Sequence, residues 1–326
     1  MRTGDHGEAV RDLQHRLGGL GLAAAGDEPG TYGPATEEAV RSFQRSRGLR
    51  ADGICGRQTW AALVEAGWRL GDRLLYLRQP MLRGDDVAAL QSRLGGLGFD
   101  AGRVDGIFGP DTEGALQEFQ RNIGIVVDGV CGPTTLDMFE RFGRHVADRP
   151  PVAALREVER LRRAPRTLNG WRVVLGDGGG MHAALSATER VLKHAGAEVV
   201  VVHHPEQSDQ AAEANAARGH VFIGLRLEPG GEGCSSAHYA GHRYESPGGR
   251  RLAELVQAMV PEALGIGDGG VRGMAIPVLK ETKMPAVVCE LGPPASVVAR
   301  IPDLADALGA VLATWVADPV DDALEA

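Results

Sequence analysis

The first half of the chain repeats itself, and this repeat constrains the fold more than any other feature of the sequence. The run Gln14–Gly21 reappears as Gln91–Gly98, and the later turn Asp52–Gly56 reappears as Asp128–Gly132. So many matches in the same order indicate a duplication. Each copy should therefore fold as the same small unit.

Each copy is predicted to form three short helices. In the second copy, apolar residues recur at helical spacing along residues 87–97. Gly109 and Pro110 then open a second helix, because proline suits the first helical position, and Asp111 adds negative charge where the helix dipole favours it. A turn at Asp128 precedes the third helix. One such unit, about 60 residues, is near the lower limit for a core of its own.

The four cysteines of the chain are predicted to be small buried residues. Cys55 and Cys131 occupy the same position in the two repeats, while Cys234 and Cys289 follow in the second half. None belongs to a C-x-x-C pair, so a structural zinc knuckle is not expected. Burial of unpaired thiols fits this pattern better than a disulfide framework.

The charge and hydrophobicity of the sequence argue against nucleic acid as a partner and against a membrane-spanning helix. The net charge of -8 argues against nucleic acid, which requires a basic surface. No apolar run approaches the roughly 20 residues of a membrane-spanning helix. Residues 1–10 lack the basic start, apolar stretch and cleavage site of a secretory signal, so we expect a cytoplasmic protein.

The repeats resemble the peptidoglycan-binding module found on many bacterial cell-wall hydrolases. The second copy carries the signature throughout, as G-D-D-V-x-x-L-Q-x-x-L in 84–94 and D-G-x-F-G-P-x-T in 105–112. The first copy has Pro29 where the second has Asp105, and it has extra residues in 23–28. The resemblance implies peptidoglycan or its precursors as ligands. A three-helix spacer or protein-docking unit is the alternative.

The hydrophobic pattern changes at residue 169, where apolar strands begin to alternate with helices. Strands are predicted at 171–175, 197–202, 221–227 and 286–291, and helices at 183–195, 210–218, 250–264 and 304–316. Near-continuous apolar strands between helices predict an α/β domain with a mostly parallel sheet covered on both faces.

These patterns divide the chain into five predicted parts. They are a first module (1–70), a second module (71–146), a linker helix (147–168), an α/β domain (169–318) and an acidic tail (319–326). The linker helix is charge-rich over Ala153–Arg163. Its glutamates, Glu157 and Glu159, argue against a membrane role for it.

The second half resembles the zinc-dependent N-acetylmuramoyl-L-alanine amidase family. The resemblance implies an α/β amidase fold and hydrolysis of the bond between muramic acid and L-alanine. In that reaction zinc polarises the amide carbonyl and activates a water molecule. The matching segments are 196–200, 214–216 (the family's R-x-x-x-A-N helix without its arginine), 270–272, 276–282 and 285–292.

The same resemblance implies that the zinc ligands are missing. The family's glycine-loop histidine falls at Gly179, its second histidine falls at Arg226, and the segment that carries its glutamate ligand is absent. A guanidinium cannot ligate zinc and would repel it. The family's general base, Glu290, is retained but has no metal-bound water to activate. We therefore expect an inactive homologue without a metal cofactor, in which Arg226 and Glu290 form an ion pair at neighbouring strand ends.

A rebuilt metal site is the alternative, and it would make the chain an active amidase. His182 lies just past the glycine loop, and His203 and His204 end the second strand. These three are weak alternative ligands. His238 and His242 would share a face if they lie on a strand.

A dinucleotide-binding loop at Gly176–Gly180 is a further alternative with little support. The G-x-G-x-x-G pattern requires a glycine where Met181 stands and an acid where His203 stands.

Two modules before an amidase-like half, with no export signal, resemble the actinobacterial CwlM-type proteins. Residues 84–88 and 131–133 and the region of Tyr76 carry this resemblance. It implies a non-catalytic regulator of peptidoglycan synthesis inside the cell. The partners that it implies are a precursor-synthesis enzyme and a regulatory kinase.

Overall fold

The computed structural model describes residues 1–142, 152–241 and 243–320, which form two compact units. The first unit comprises Met1–Ala154 and His242–Tyr244, and the second comprises Leu155–Gly241 and Glu245–Ala326. Part of the predicted linker (147–151), most of the predicted acidic tail (321–326) and His242 lie outside the described residues.

The first unit contains both sequence repeats, and the prediction of three helices in each is confirmed. The helices of the first repeat are α1 (Glu8–Gly19), α2 (Pro34–Ser46) and α3 (Arg57–Ala66); those of the second are α4 (Asp85–Gly96), α5 (Pro110–Ile123) and α6 (Pro133–Phe142). Each repeat encloses its own apolar core. In the second, the rings of Phe119 and Phe139 stack with centroids 4.3 Å apart.

A buried glutamine ties α4 to the turn that precedes α5. The Gln91 side-chain oxygen accepts a hydrogen bond from the Gly106 amide (2.9 Å). Its amide nitrogen donates to the Asp105 carboxylate (2.9 Å), the Ile107 carbonyl (3.1 Å) and the Thr112 hydroxyl (3.1 Å). One side chain therefore satisfies four groups of the turn D-G-x-F-G-P-x-T.

The same glutamine arrangement recurs at three other positions, so each repeat consists of two similar halves. Gln120 bonds Asp128, Gly129, Val130 and Thr135, and Gln44 bonds Asp52, Gly53, Ile54 and Thr59. Gln14 is the variant, because its turn has Pro29 in place of an aspartate. There the Glu28 carbonyl accepts the bond instead, at 3.3 Å.

The second unit is built on a six-stranded sheet with the order β2-β1-β3-β6-β4-β5. The strands are β1 (Arg172–Asp177), β2 (Glu198–His203), β3 (Val221–Leu227), β4 (Gly233–Tyr239), β5 (Gly267–Met274) and β6 (Ala286–Leu291). Among the described strands, the β4–β6 pair is antiparallel and the other pairs are parallel. The prediction of a mostly parallel sheet is confirmed.

Seven helices accompany this sheet in the described residues. They are α7 (Val152–Arg162), α8 (His182–His194), α9 (Gln207–Ala216), α10 (Pro247–Leu264), α11 (Pro277–Glu281), α12 (Pro294–Ala299) and α13 (Ile301–Ala317). Trp315 of α13 is fully buried, and its ring meets that of Trp171 edge-on with centroids 5.3 Å apart. Strand β5 is absent from the sequence prediction, and β4 enters it only through the strand considered at His238, since both segments contain several glycine or serine residues.

Helix α7 packs into the core of the second unit. Leu161 belongs to the apolar core cluster, and Val158 packs against it. Glu157 is buried, and its carboxylate accepts hydrogen bonds from the Ser246 hydroxyl (2.6 Å) and the Gly248 amide (3.0 Å). The segment assigned from sequence to a linker thus supplies a cap for the N-terminus of α10.

Across residues 1–142, 152–241 and 243–320, no helix combines the length and the apolar character needed to cross a bilayer.

The cysteines are expected to resist thiol reagents in the native protein. All four are buried and unpaired, so the predicted burial is confirmed. Burial raises the pKa of Cys55 to about 11 and the pKa of Cys131 and Cys234 to about 12, and it raises the pKa of Cys289 well above its usual value. Since the thiolate is the nucleophile, a disulfide dye should label no thiol at neutral pH and all of them in denaturant. Rapid labelling of a native thiol would contradict this expectation.

Candidate functional site

Four neighbouring strands end at one edge of the sheet in polar residues. Strands β2, β1, β3 and β6 run parallel, and their final residues include His203, Asp177, Arg226 and Glu290. Ligands of open α/β sheets bind in the crevice at the carboxyl ends of the strands. This edge is therefore the candidate functional site.

Arg226 and Glu290 face each other across β3 and β6. They are register partners in the ladder, and a guanidinium nitrogen lies 3.8 Å from a carboxylate oxygen. The predicted ion pair is present. The Arg226 side chain is 44% exposed, so the pair should add little to stability. Its chemical effect is to place a cation beside Glu290, the position to which the sequence resemblance gives the role of general base.

The glycine loop lies directly against the end of β3. The Gly178 amide donates a hydrogen bond to the Leu225 carbonyl (2.8 Å), and a side chain at Gly178 would lie 3.0 Å from Cβ of Arg226. Gly179 and Gly180 have φ values of +117° and +77°, which favour glycine over other residues. Gly179, the position that the resemblance aligns with a histidine ligand, thus has no imidazole and has a backbone that disfavours one.

Asp177 holds this loop in place, and the sequence analysis missed it. One carboxylate oxygen accepts hydrogen bonds from the amides of Gly179 (2.8 Å) and Met181 (3.3 Å). The other lies 3.4 Å from Nδ1 of His203. An aspartate inside a glycine-rich turn before a helix is a signal for such bonds, and it could have identified this residue.

The weak alternative ligands lie at one end of the candidate site. The rings of His182 and His203 are 5.3 Å apart, beside Asp177, whereas His204 pairs with Asp209 at 3.4 Å. Strands β1 and β3 separate β2 from β6, so the backbones of His203 and Glu290 are about 14 Å apart. The structure thus brings two of the histidines together, but away from Glu290.

His238 belongs to a different part of the sheet. It is buried on β4, and its Nε2 lies 2.7 Å from the Glu245 carboxylate, which lowers the pKa of Glu245. Its register partner on β6 is Val287, about 10 Å along the strand from Glu290. His238 is therefore not placed to share a ligand with Glu290, and His242 lies outside the described residues.

The residues that the structure describes at this edge do not fit a zinc centre of the amidase kind. A catalytic zinc ion takes three protein ligands and keeps one position open. Within the described part of the chain, no three or more side chains of His, Cys, Asp or Glu are grouped so that they could hold a metal ion. Arg226 offers no lone pair for coordination.

Asn215, the asparagine of the family's helix motif, has a structural role here. Its side chain donates to the Glu281 carbonyl (2.8 Å) and accepts from the Lys283 amide (2.8 Å). It ties α9 to the segment that leads into β6, the strand of Glu290.

Comparison with known proteins identifies relatives of both halves. Residues 6–63 and 83–139 match the family model described as "Putative peptidoglycan binding domain". The chain is 35% identical over 331 aligned positions to N-acetylmuramoyl-L-alanine amidase CwlM of Mycobacterium tuberculosis, a match that covers 90% of this chain and 81% of that protein. It is 34% identical to a probable N-acetylmuramoyl-L-alanine amidase of Bacillus licheniformis, over 39% of this chain and 41% of that protein.

A solved structure matches the second half. It is the N-acetylmuramyl-L-alanine amidase Ami1 of Mycobacterium smegmatis, with a TM-score of 0.40 and 16% identity, over 46% of this chain and 98% of that one. The extent and identity of the match to CwlM, with two matched modules ahead of an α/β domain, decide the assignment. The chain belongs to the N-acetylmuramoyl-L-alanine amidase family, as a relative of CwlM with two peptidoglycan-binding-type modules before its amidase-like domain.

Proposed function

We propose that this protein is a non-catalytic member of its family that binds peptidoglycan or its precursors and regulates cell-wall synthesis. The observation that carries the proposal is the Arg226–Glu290 pair at the carboxyl ends of β3 and β6. The resemblance implies that the family's glutamate at the position of Glu290 acts on a metal-bound water molecule. Here the nearest charged partner of Glu290 at that edge is a guanidinium, which supplies no electrophile for amide hydrolysis.

The backbone of the glycine loop supports the same proposal. An imidazole at position 179 would require a residue other than glycine at a φ of +117°. L-residues rarely adopt that conformation. Loss of metal binding is thus a property of the loop as well as of two substituted side chains, and we propose that the protein has no metal cofactor.

Ligand binding is proposed to reside in the two modules. The second carries the full family signature, and its turns are held by Gln91 and Gln120. The first keeps the same glutamine-to-turn bonds although Pro29 replaces the aspartate, because the Glu28 carbonyl takes over the acceptor role. This retention supports binding by both modules.

The remaining parts of the proposal rest on the relationship to CwlM. They are a cytoplasmic location and two kinds of protein partner, a precursor-synthesis enzyme and a regulatory kinase.

One observation favours a second candidate, an active amidase with a relocated metal site. His182, His203 and Asp177 lie together at the same edge of the sheet, and the matched relatives carry the name amidase. In this candidate, two imidazoles and a carboxylate would replace the family's ligands, and they would have to move closer together than they lie here.

Zinc content and turnover separate the two candidates. The purified full chain is first incubated with zinc, and unbound zinc is then removed by dialysis. We expect elemental mass spectrometry to find far less than one zinc ion per chain. We also expect no release of L-alanine-linked peptide from a muropeptide, while the chain co-sediments with purified sacculi. An active zinc amidase treated in parallel is the positive control.

The variant Glu290→Gln identifies any contaminating activity. Hydrolysis that persists unchanged in this variant does not come from the chain. Stoichiometric zinc, together with turnover that Glu290→Gln or His203→Ala abolishes, would establish the active amidase and defeat the proposal.

A further inference from the structure

The outer face of helix α7 and the turn after it carry a concentration of arginines. Residues 155–166 contain five arginines and two glutamates, in a chain whose net charge is -8. We call these five arginines the basic strip: Arg156, Arg160, Arg162, Arg163 and Arg166. All of them except Arg156 are exposed, and the side chain of Arg163 is 78% exposed.

The two glutamates of this segment differ in their exposure to solvent. Glu157 is buried, and its carboxylate caps the N-terminus of α10 through Ser246 and Gly248. Glu159 stays at the surface, where it pairs with Arg163. Of the two acids of this segment, Glu159 is the one that lies at the surface with the exposed arginines.

Arg160 of the strip lies near the amino edge of the sheet, close enough to affect the pKa of His220. His220, which precedes β3, has a lowered pKa because of burial and because of the nearby charges of Arg172 and Arg160. Arg172 begins β1 and pairs with Glu198 at 2.9 Å. The strip therefore reaches the amino edge of the sheet, on the side opposite the candidate site, where Arg172 is already paired with an acid.

The packing of α7 decides which anionic partner suits the strip. Its apolar side is occupied, because Leu161 and Val158 pack into the core; Leu155, 58% exposed, is the large apolar residue left outside. A helix held in this way can present guanidinium groups to a surface, but it cannot insert an apolar face. Bound peptides lie in grooves or along sheet edges, and an exposed helix face supplies neither.

We propose that the basic strip binds the anionic phospholipid surface of a membrane and holds the second unit against it. Guanidinium groups bind phosphate oxygens in a bidentate manner. Each arginine near an anionic surface should strengthen binding about fivefold. This proposal does not depend on whether the zinc site is lost.

Vesicle co-sedimentation of the full chain tests the proposal. We expect binding to vesicles of phosphatidylcholine mixed with phosphatidylglycerol, weakening with salt, and no binding to phosphatidylcholine alone. The double variant Arg160→Gln/Arg163→Gln should bind about 25-fold more weakly, from two losses of about fivefold each. The matched control Arg50→Gln/Arg57→Gln removes the same charge from exposed positions of the first unit and should change binding less than twofold.

Three outcomes would overturn the proposal, provided that circular dichroism shows both double variants folded. Equal binding to neutral and anionic vesicles would show that charge is not the cause. Equal losses in the two double variants would show that the strip is not the site. Strip-dependent binding to poly-L-glutamate without binding to anionic vesicles would assign the strip to an acidic protein segment instead.

Discussion

Replacing Gln91 by leucine is expected to unfold the second module while the rest of the chain stays folded. The side chain is 2% exposed and joins four polar groups of the turn before α5. Leucine fills the same volume but leaves buried donors and acceptors without partners, at about 1–3 kcal/mol for each unsatisfied group. A total loss of about 3–6 kcal/mol is comparable with the whole stability of a unit of about 60 residues.

Hydrogen exchange read by mass spectrometry measures this effect segment by segment. Protection of amides in α4, α5 and α6 should fall to the level of an unfolded chain, with little change in β1, β3 and β6. The control is Gln58→Leu, an exposed position on α3, which should shift stability by less than about 0.5 kcal/mol. Undiminished protection in α4 of the Gln91→Leu variant would show that the glutamine bonds do not hold the module together.

Replacing Glu157 by leucine is expected to destabilise the second unit by about 2–4 kcal/mol. The change leaves the Ser246 hydroxyl and the Gly248 amide buried without their acceptor. It also removes a negative charge from the N-terminus of α10, where the helix dipole favours one. Glu157→Gln should cost less, since a neutral amide oxygen can still accept one of the two bonds.

Glu159→Leu is the matched control for this prediction. It lies two residues further along α7, is exposed, and pairs with Arg163 at the surface, so its loss should cost less than about 1 kcal/mol. Denaturant unfolding of the two variants, with hydrogen exchange at the start of α10, makes the comparison. Equal destabilisation by both substitutions would mean that the buried cap has no special role.

The residues of these two predictions lie outside the candidate site, so the stability of the fold can be tested separately from the proposed loss of catalysis. The apolar core of the second unit and the cap from Glu157 do not involve Arg226 or Glu290. A metal centre of a hydrolase often contributes chemistry rather than folding energy. Substitution at the strand ends therefore leaves the sheet intact while it changes what the site can bind.

Much of the fold follows from local patterns in the sequence. The repeat and the three helices of each copy are visible because helix periodicity, capping and turn residues act over a few neighbouring positions. The apolar strands β1, β3 and β6 are visible for the same reason. Strands β4 and β5 are not, because glycine and serine form strands there through pairing with neighbours, and strand preference depends on that context.

Some features of the candidate site could likewise be predicted from the sequence, and others required the structure. Family resemblance and parallel strand order were enough to place Arg226 beside Glu290. By contrast, the φ of +117° at Gly179, the role of Asp177 and the separation of His203 from Glu290 depend on which strands are neighbours and how the loop packs on β3.

The sequence by itself determined the repeat, the three helices of each copy, the apolar strands β1, β2, β3 and β6, and the lack of an imidazole at Gly179 and Arg226. Only the tertiary structure decided that Glu157 lies inside and that four arginines of the same segment lie outside. The physical reason is that the sequence gives the chemical type of each residue directly. Its exposure to water and its charged neighbours depend on segments that are far away in the chain.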